Sequence, residues 1–85
     1  MSIEAIYEDV KSERITFGPH LIQRIWENGI SINQVLDTIL SGIINKREKD
    51  ERSQGKFTKF TISKGDIVVV VKDCRPGFII TARRR

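Results

Sequence analysis

The chain has one cysteine, Cys74, among 85 residues. A lone thiol cannot form an internal disulfide, which fits a reducing compartment. It also has one histidine, His20. One histidine and one cysteine cannot supply the usual zinc ligands, so no metal site is expected. There is no P-loop and no GxGxxG, the two common glycine-rich phosphate cradles. No apolar run reaches the roughly 20 residues of a membrane helix. The opening MSIEAIYEDV carries acids where a signal peptide carries bases. These absences lead to the expectation of a cytoplasmic protein with no cofactor and no membrane partner. Internal repeats and low-complexity tracts are also missing.

What is present is a small folded chain with an uneven charge. Hydrophobic residues make up 39%, enough for a core rather than a disordered segment. The length allows one domain, taken as residues 1–85 with 1–14 as an N-terminal helical extension. The net charge is +4, with −3 over residues 1–42 and +7 over residues 43–85. A basic second half points to a polyanion such as nucleic acid. The plainer explanation is a solvated surface rich in lysine.

The hydrophobic period changes once. Ile3, Ile6, Tyr7 and Val10 have helical spacing, and ITF at 15–17 extends briefly. A second helix is expected over 19–28, with Pro19 at its first position, an apolar stripe of Leu21, Ile22, Ile25 and Trp26, and Gly29 after its end. A third is expected over 32–41. Ser31 and Gln34 have capping-box spacing, Ile32, Val35, Leu36, Ile39 and Leu40 form its buried face, and Gly42 stops it. Beyond Gly42 the sequence is rich in β-branched residues. Strands are expected over 56–62, 66–72 and 78–83, with IINKREKD a fourth candidate in front. SKGD suits a hairpin, and Pro76-Gly77 suits the centre of a type II turn. The expected fold class is α+β, two or three N-terminal helices packed on a three- to four-stranded, mostly antiparallel sheet.

On the second helix His20, Arg24 and Glu27 fall opposite the apolar stripe. His20 is therefore not a core histidine. A neutral imidazole can act as a general base, and an arginine one turn away can grip a phosphate through its planar fork. The bland alternative is a solvated polar face. Phe57, Phe60 and Phe78, interleaved with Lys56, Lys59 and Thr81, suit either single-stranded RNA or an ordinary core. A DNA-reading helix-turn-helix fits poorly, because Asn33, Gln34, Asp37, Thr38 and Ser41 give the third helix an exposed face without a cation.

The run FGPHLIQRIWENGISINQVLDTILSG resembles the signature of a small bacterial and phage domain family of unknown function. In that family a His-x-x-x-Arg helix precedes a Gly-Ile-Ser turn, an apolar helix ending in glycine, and a β-meander. The family is similar to the barnase, EndoU, colicin and RelE-like group of RNA-cleaving toxins. The resemblance spans about residues 15–82, including the last strand FIITA with Thr81. Leu21 stands where alanine is frequent, and Asn28 where arginine is common. The resemblance implies a RelE- or barnase-like fold and metal-independent RNA cleavage, by attack of a ribose 2′-OH on the adjacent phosphate. His20 would be general base or acid. Arg24 would hold the phosphate together with strand cations, and Thr81 would donate a hydrogen bond. The substrate-binding cations expected are Lys46, Lys56, Lys59 and Arg83. The expected partners are RNA, tRNA or ribosome-bound mRNA among its forms, and a cognate antitoxin or immunity protein. The competing expectations are a non-catalytic RNA-binding or protein-interaction module on the same fold, and an immunity protein. The positive charge argues against the last.

Overall fold

The computed structural model describes residues 3–85, Ser53 by its backbone alone. Residues 1 and 2, the start of the expected 1–14 extension, lie outside the described residues. Three α-helices come first, α1 (Ile3–Lys11), α2 (Leu21–Glu27) and α3 (Ile32–Ser41). A short strand, β1 (Thr16–Phe17), precedes α2. β2 (Ile43–Lys49), β3 (Thr58–Lys64), β4 (Ile67–Lys72) and β5 (Phe78–Arg84) follow. They form one five-stranded sheet in the order β1-β5-β4-β3-β2. Every pairing is antiparallel except β1 with β5. The protein is α+β, as the change of hydrophobic period predicts.

One face of the sheet carries the core. Phe60, Ile62, Val69, Val71, Ile79 and Ala82 are fully or almost fully buried and meet Ile6, Val10, Leu21, Ile25, Val35 and Ile39 from the helices. Strand period two puts the alternate residues on the other face. That second face holds Lys46 and Glu48 of β2, Lys59 and Thr61 of β3, Val70 and Lys72 of β4, and Phe78, Thr81 and Arg83 of β5, by the pairing register. The three α-helices pack on the core face, so this second face is called the open face below. Two register shifts fall on it. Asn45 is the extra residue between Ile44 and Lys46, and Ile80 the extra residue opposite the Val70–Val71 step.

Local sequence explains most boundaries. The Ser31 hydroxyl accepts from Gln34 N–H at 3.1 Å while Gln34 Oε1 accepts from Ser31 N–H at 2.8 Å, the expected capping box. α3 covers 32–41 as predicted, and Gly42 follows in extended conformation. Gly29 takes φ +66° after α2, and Gly65 takes φ +62° in the β3–β4 hairpin, where a side chain would be strained. Lys64 Nζ reaches Asp37 at 2.6 Å, joining the hairpin to α3. That ammonium and the Ser41 hydroxyl hold the Asp37 carboxyl below its ordinary range.

Five expectations need correction. α2 begins at Leu21, not 19, because Leu21 N–H first closes a turn on Gly18 O and leaves His20 as the N-cap. Pro19 therefore precedes the helix. Ile22 and Trp26 are not buried but 51% and 76% exposed, because α2 packs beside β5 with only its Leu21–Ile25 ridge turned into the core. On α3, Thr38 is buried while Leu40 is exposed. Thr38 can go in because its hydroxyl donates to Gln34 O at 2.7 Å. β3 starts at Thr58, so Lys56 lies in the loop before it. The loop before β5 is not a type II turn, since Gly77 keeps φ out of the left-handed region.

Candidate nucleic-acid interface

The open face combines a cleft with a cluster of cations. Lys46, Lys59, Lys72 and Arg83 stand on it, on all four long strands. Its acids are few and already engaged. Glu48 lies 3.5 Å from Lys46 and 3.9 Å from Lys59, and Asp50 lies 3.4 Å from Lys72. A cleft of about 230 Å³ opens here, lined by Asp50, Arg52, Lys59, Lys72, Phe78 and Ile80. A second, larger cleft of about 390 Å³ lies elsewhere, between Asp9, Arg14, Arg75 and Pro76. There Asp9 is already committed, accepting from Gly77 N–H at 2.7 Å with the Arg14 guanidinium 3.7 Å away.

The aromatic residues divide between the two roles open to them. Phe60 is core. Phe57 and Phe78 are half-buried, and the Lys72 ammonium lies 6.0 Å and 5.7 Å from their ring centroids. Such contacts hold a lysine over apolar surface without neutralising it. The bulge explains how Phe78 and Ile80 come to share a cleft. In a regular strand 78, 80 and 82 share a face, yet Ala82 is fully buried in the core. The extra residue at 80 resets the alternation. Ile79 and Ala82 both turn inward, and Thr81 and Arg83 stay on the open face opposite Val70 and Val68. Bulges of this kind re-aim side chains beside sites.

α2 lies alongside β5, beyond the two residues that β5 pairs with β1. Gly18 packs against the Phe78 ring, and its N–H bonds Ile79 O at 3.4 Å, which fixes the start of α2. Arg84 Nε donates to Asn28 O at 2.7 Å, which fixes its end. The helix thus runs alongside β5 from Ile80 toward Arg84. His20 and Arg24 are both exposed. Among the described residues no hydrogen bond or ion pair joins either side chain to Thr81, and His20 makes no side-chain cap. Thr81 is half-buried.

Of the cations expected to hold substrate, Lys46, Lys59 and Arg83 come together on the open face. Lys56 sits beside it in the loop. Arg84 and Arg85 serve the fold, Arg84 through Asp66 at 2.6 Å and Arg85 through the Ser63 hydroxyl at 2.6 Å. Sequence reasoning passed over Lys72, Asp50 and Arg52. Lys72 was legible, since it continues the 68, 70, 72 alternation onto the polar face. Asp50 and Arg52 enter through a short 3-10 turn, Glu51–Ser53, between β2 and β3, which no periodicity reports.

Among the described residues no helix is long and apolar enough to cross a membrane, and no group of histidine, cysteine and carboxylates could hold a metal ion. No curated protein and no solved structure matches the chain. A family match runs from the end of β1 through both remaining helices and the four long strands. With residues 17–84 matched, the chain belongs to the family described as Domain of unknown function (DUF4258).

Proposed function

We propose that this protein is a toxin-like endoribonuclease that lays RNA across the open face of its sheet. It would cut by metal-independent attack of a ribose 2′-OH on the adjacent phosphate and be held in check by a cognate protein inhibitor. The observation that carries the reading is the convergence of Lys46, Lys59, Lys72 and Arg83 on one uncovered sheet face. The reaction itself comes from the resemblance to RNA-cleaving toxins.

Handedness supports the roles of His20 and Arg24. Ile79 points into the core, and its carbonyl bonds Gly18 on the β1 side. For L-residues that fixes on which side of β5 the helix lies. A right-handed helix there, parallel to β5 with Leu21 and Ile25 turned inward, directs Ile22 and Trp26 toward the helix layer. His20 and Arg24 then turn toward the open face. In this arrangement His20 exchanges the proton of the 2′-OH or of the leaving 5′-oxygen. Arg24, with Lys46, Lys59 and Arg83, offsets the charge of the phosphorane, and Thr81 donates a hydrogen bond.

A second reading has its own observation. No hydrogen bond orients the His20 imidazole among the described residues, and a general base is ordinarily held in place. That favours a module that binds RNA without cutting it. Purified protein incubated with total RNA in EDTA separates the two. Cleavage is expected, falling about 100-fold or more in His20→Ala, the usual contribution of a general acid or base. Arg24→Ala should lose more activity than Arg24→Lys. Intact RNA, or His20→Ala cutting at the parental rate, would remove the catalytic reading.

A further inference from the structure

Lys59 and Lys72 are cross-strand partners in the β3–β4 register. Neighbouring pairs alternate between wide and narrow spacing. Asp73 N–H bonds Thr58 O at 3.0 Å, so the next pair along, 59 with 72, is the narrow, non-hydrogen-bonded kind whose side chains stand closest. Like charges directly opposite each other are unfavourable. Here the two ammonium groups lean to different acids, Lys59 to Glu48 at 3.9 Å and Lys72 to Asp50 at 3.4 Å. Both separations are long for charge-assisted bonds. Both lysines line the 230 Å³ cleft, and Arg52 lines it too. Three cations therefore face that space against one carboxylate. Among the described residues the rest of its wall is Phe78 and Ile80.

We infer that this cleft is a single-nucleotide seat. Lys59, Lys72 and Arg52 take the phosphate, and Phe78 with Ile80 forms the apolar wall on which the attached base rests. The inference rests on the RNA-binding reading and makes it specific. A phosphate between the two lysines would relieve the repulsion that their long contacts to Glu48 and Asp50 only partly offset. The Lys72 stem is held by the Phe57 and Phe78 rings, so its ammonium is positioned before the anion arrives. At about 230 Å³ the cleft has no room for a stacked run of nucleotides. Lys72 and Arg52 thereby become substrate-binding residues, and Phe78 becomes the residue that tells a nucleotide from bare phosphate.

The test is a calorimetric titration of the full chain with adenosine 3′-monophosphate, inorganic phosphate and adenosine, each separately. The 3′-nucleotide should bind more tightly than phosphate, and adenosine should bind least. Lys59→Met and Lys72→Met keep the apolar stems and remove the charges. Each should weaken nucleotide binding about 10-fold, the scale of one lost charge-assisted contact. Phe78→Leu should bring the nucleotide down to the affinity of phosphate. Lys72→Met leaves Asp50 beside a neutral group, so circular dichroism must show it folded, and Lys59→Met carries the test if it is not. Phosphate binding as tightly as the nucleotide, or both lysine variants binding as the parent does, would overturn the seat. Nucleotide binding that depends on Lys59, in a protein that leaves RNA intact, would keep the seat and remove the nuclease. RNA cleavage with an unchanged KM in both lysine variants would do the reverse.

Discussion

At the scale of single residues, position in the fold decides more than residue type. Gly42 shows this. Its φ is −78°, a value any residue adopts, so conformational freedom does not explain the glycine. Space does. A Cβ there would meet Thr38 O, with Ser63 O at 2.7 Å and Ile62 Cγ2 at 2.8 Å. Two of those atoms are backbone and cannot swing away, because this is where the chain leaves α3 and enters β2 against β3. Gly42→Ala should cost about 1–3 kcal/mol, the range for overpacking. Urea unfolding would measure it, and a midpoint equal to the parent's would show that α3 can slide to make room. Trp26 makes the converse point. A tryptophan at helical spacing from Ile22 reads as core, yet it is 76% exposed, since α2 buries only one narrow ridge.

At the scale of elements, the best-specified one is α3. Its start is set by reciprocal bonds between Ser31 and Gln34, and its inner face by Val35 and Ile39, both fully buried. Ser31→Ala removes the acceptor for Gln34 N–H and should lower stability by about 1 kcal/mol. Chemical denaturation would register this, and Ser31→Asp, which can still cap, should recover most of it. An alanine variant as stable as the parent would mean that packing alone holds the helix start. α2 is the contrasting element. It has seven residues, too few to persist without tertiary support. Its place depends on contacts at both ends, Gly18 on the Phe78 ring and Arg84 on the Asn28 and Gly29 carbonyls. The orientation of His20 and Arg24 is therefore a property of β5 as much as of α2.

At the scale of the whole molecule, the charge asymmetry along the chain becomes an asymmetry between faces. The acidic front half supplies the three α-helices and β1, and the basic back half supplies the four long strands. With the helices on one face, the cations of alternate strand positions gather on the other. RNA binding there should weaken steeply with salt, because each phosphate contact releases a counterion. Replacing Lys46, Lys59 and Arg83 together by Ala should reduce the slope of log affinity against log salt by about 2 units, at roughly 0.7 per contact for a single strand. Lys56→Ala, in the loop beside the face, should change it less. Fluorescence anisotropy with a labelled single-stranded RNA would measure both. A slope unchanged in the triple variant would show that the charge plays no part in binding.

The sequence by itself determined the α+β class, the bounds of α3 and the β3–β4 hairpin at Gly65. Each of these follows from spacing within a few residues, where period, caps and turn chemistry act. It could not determine what lies far apart in the chain. β1 pairs in parallel with β5 across about sixty residues, and that pairing is what carries α2 to its place beside β5. The bulge at Ile80 is set by fitting Ile79 and Ala82 into one core, and strict alternation predicts the wrong neighbour there. Only the tertiary structure brings Asp50 and Arg52 from a loop to Lys59, Lys72 and Phe78. A cleft is made by the meeting of separate segments, and the energy that joins them is burial on the opposite side of the sheet, which leaves no pattern at the residues that line it.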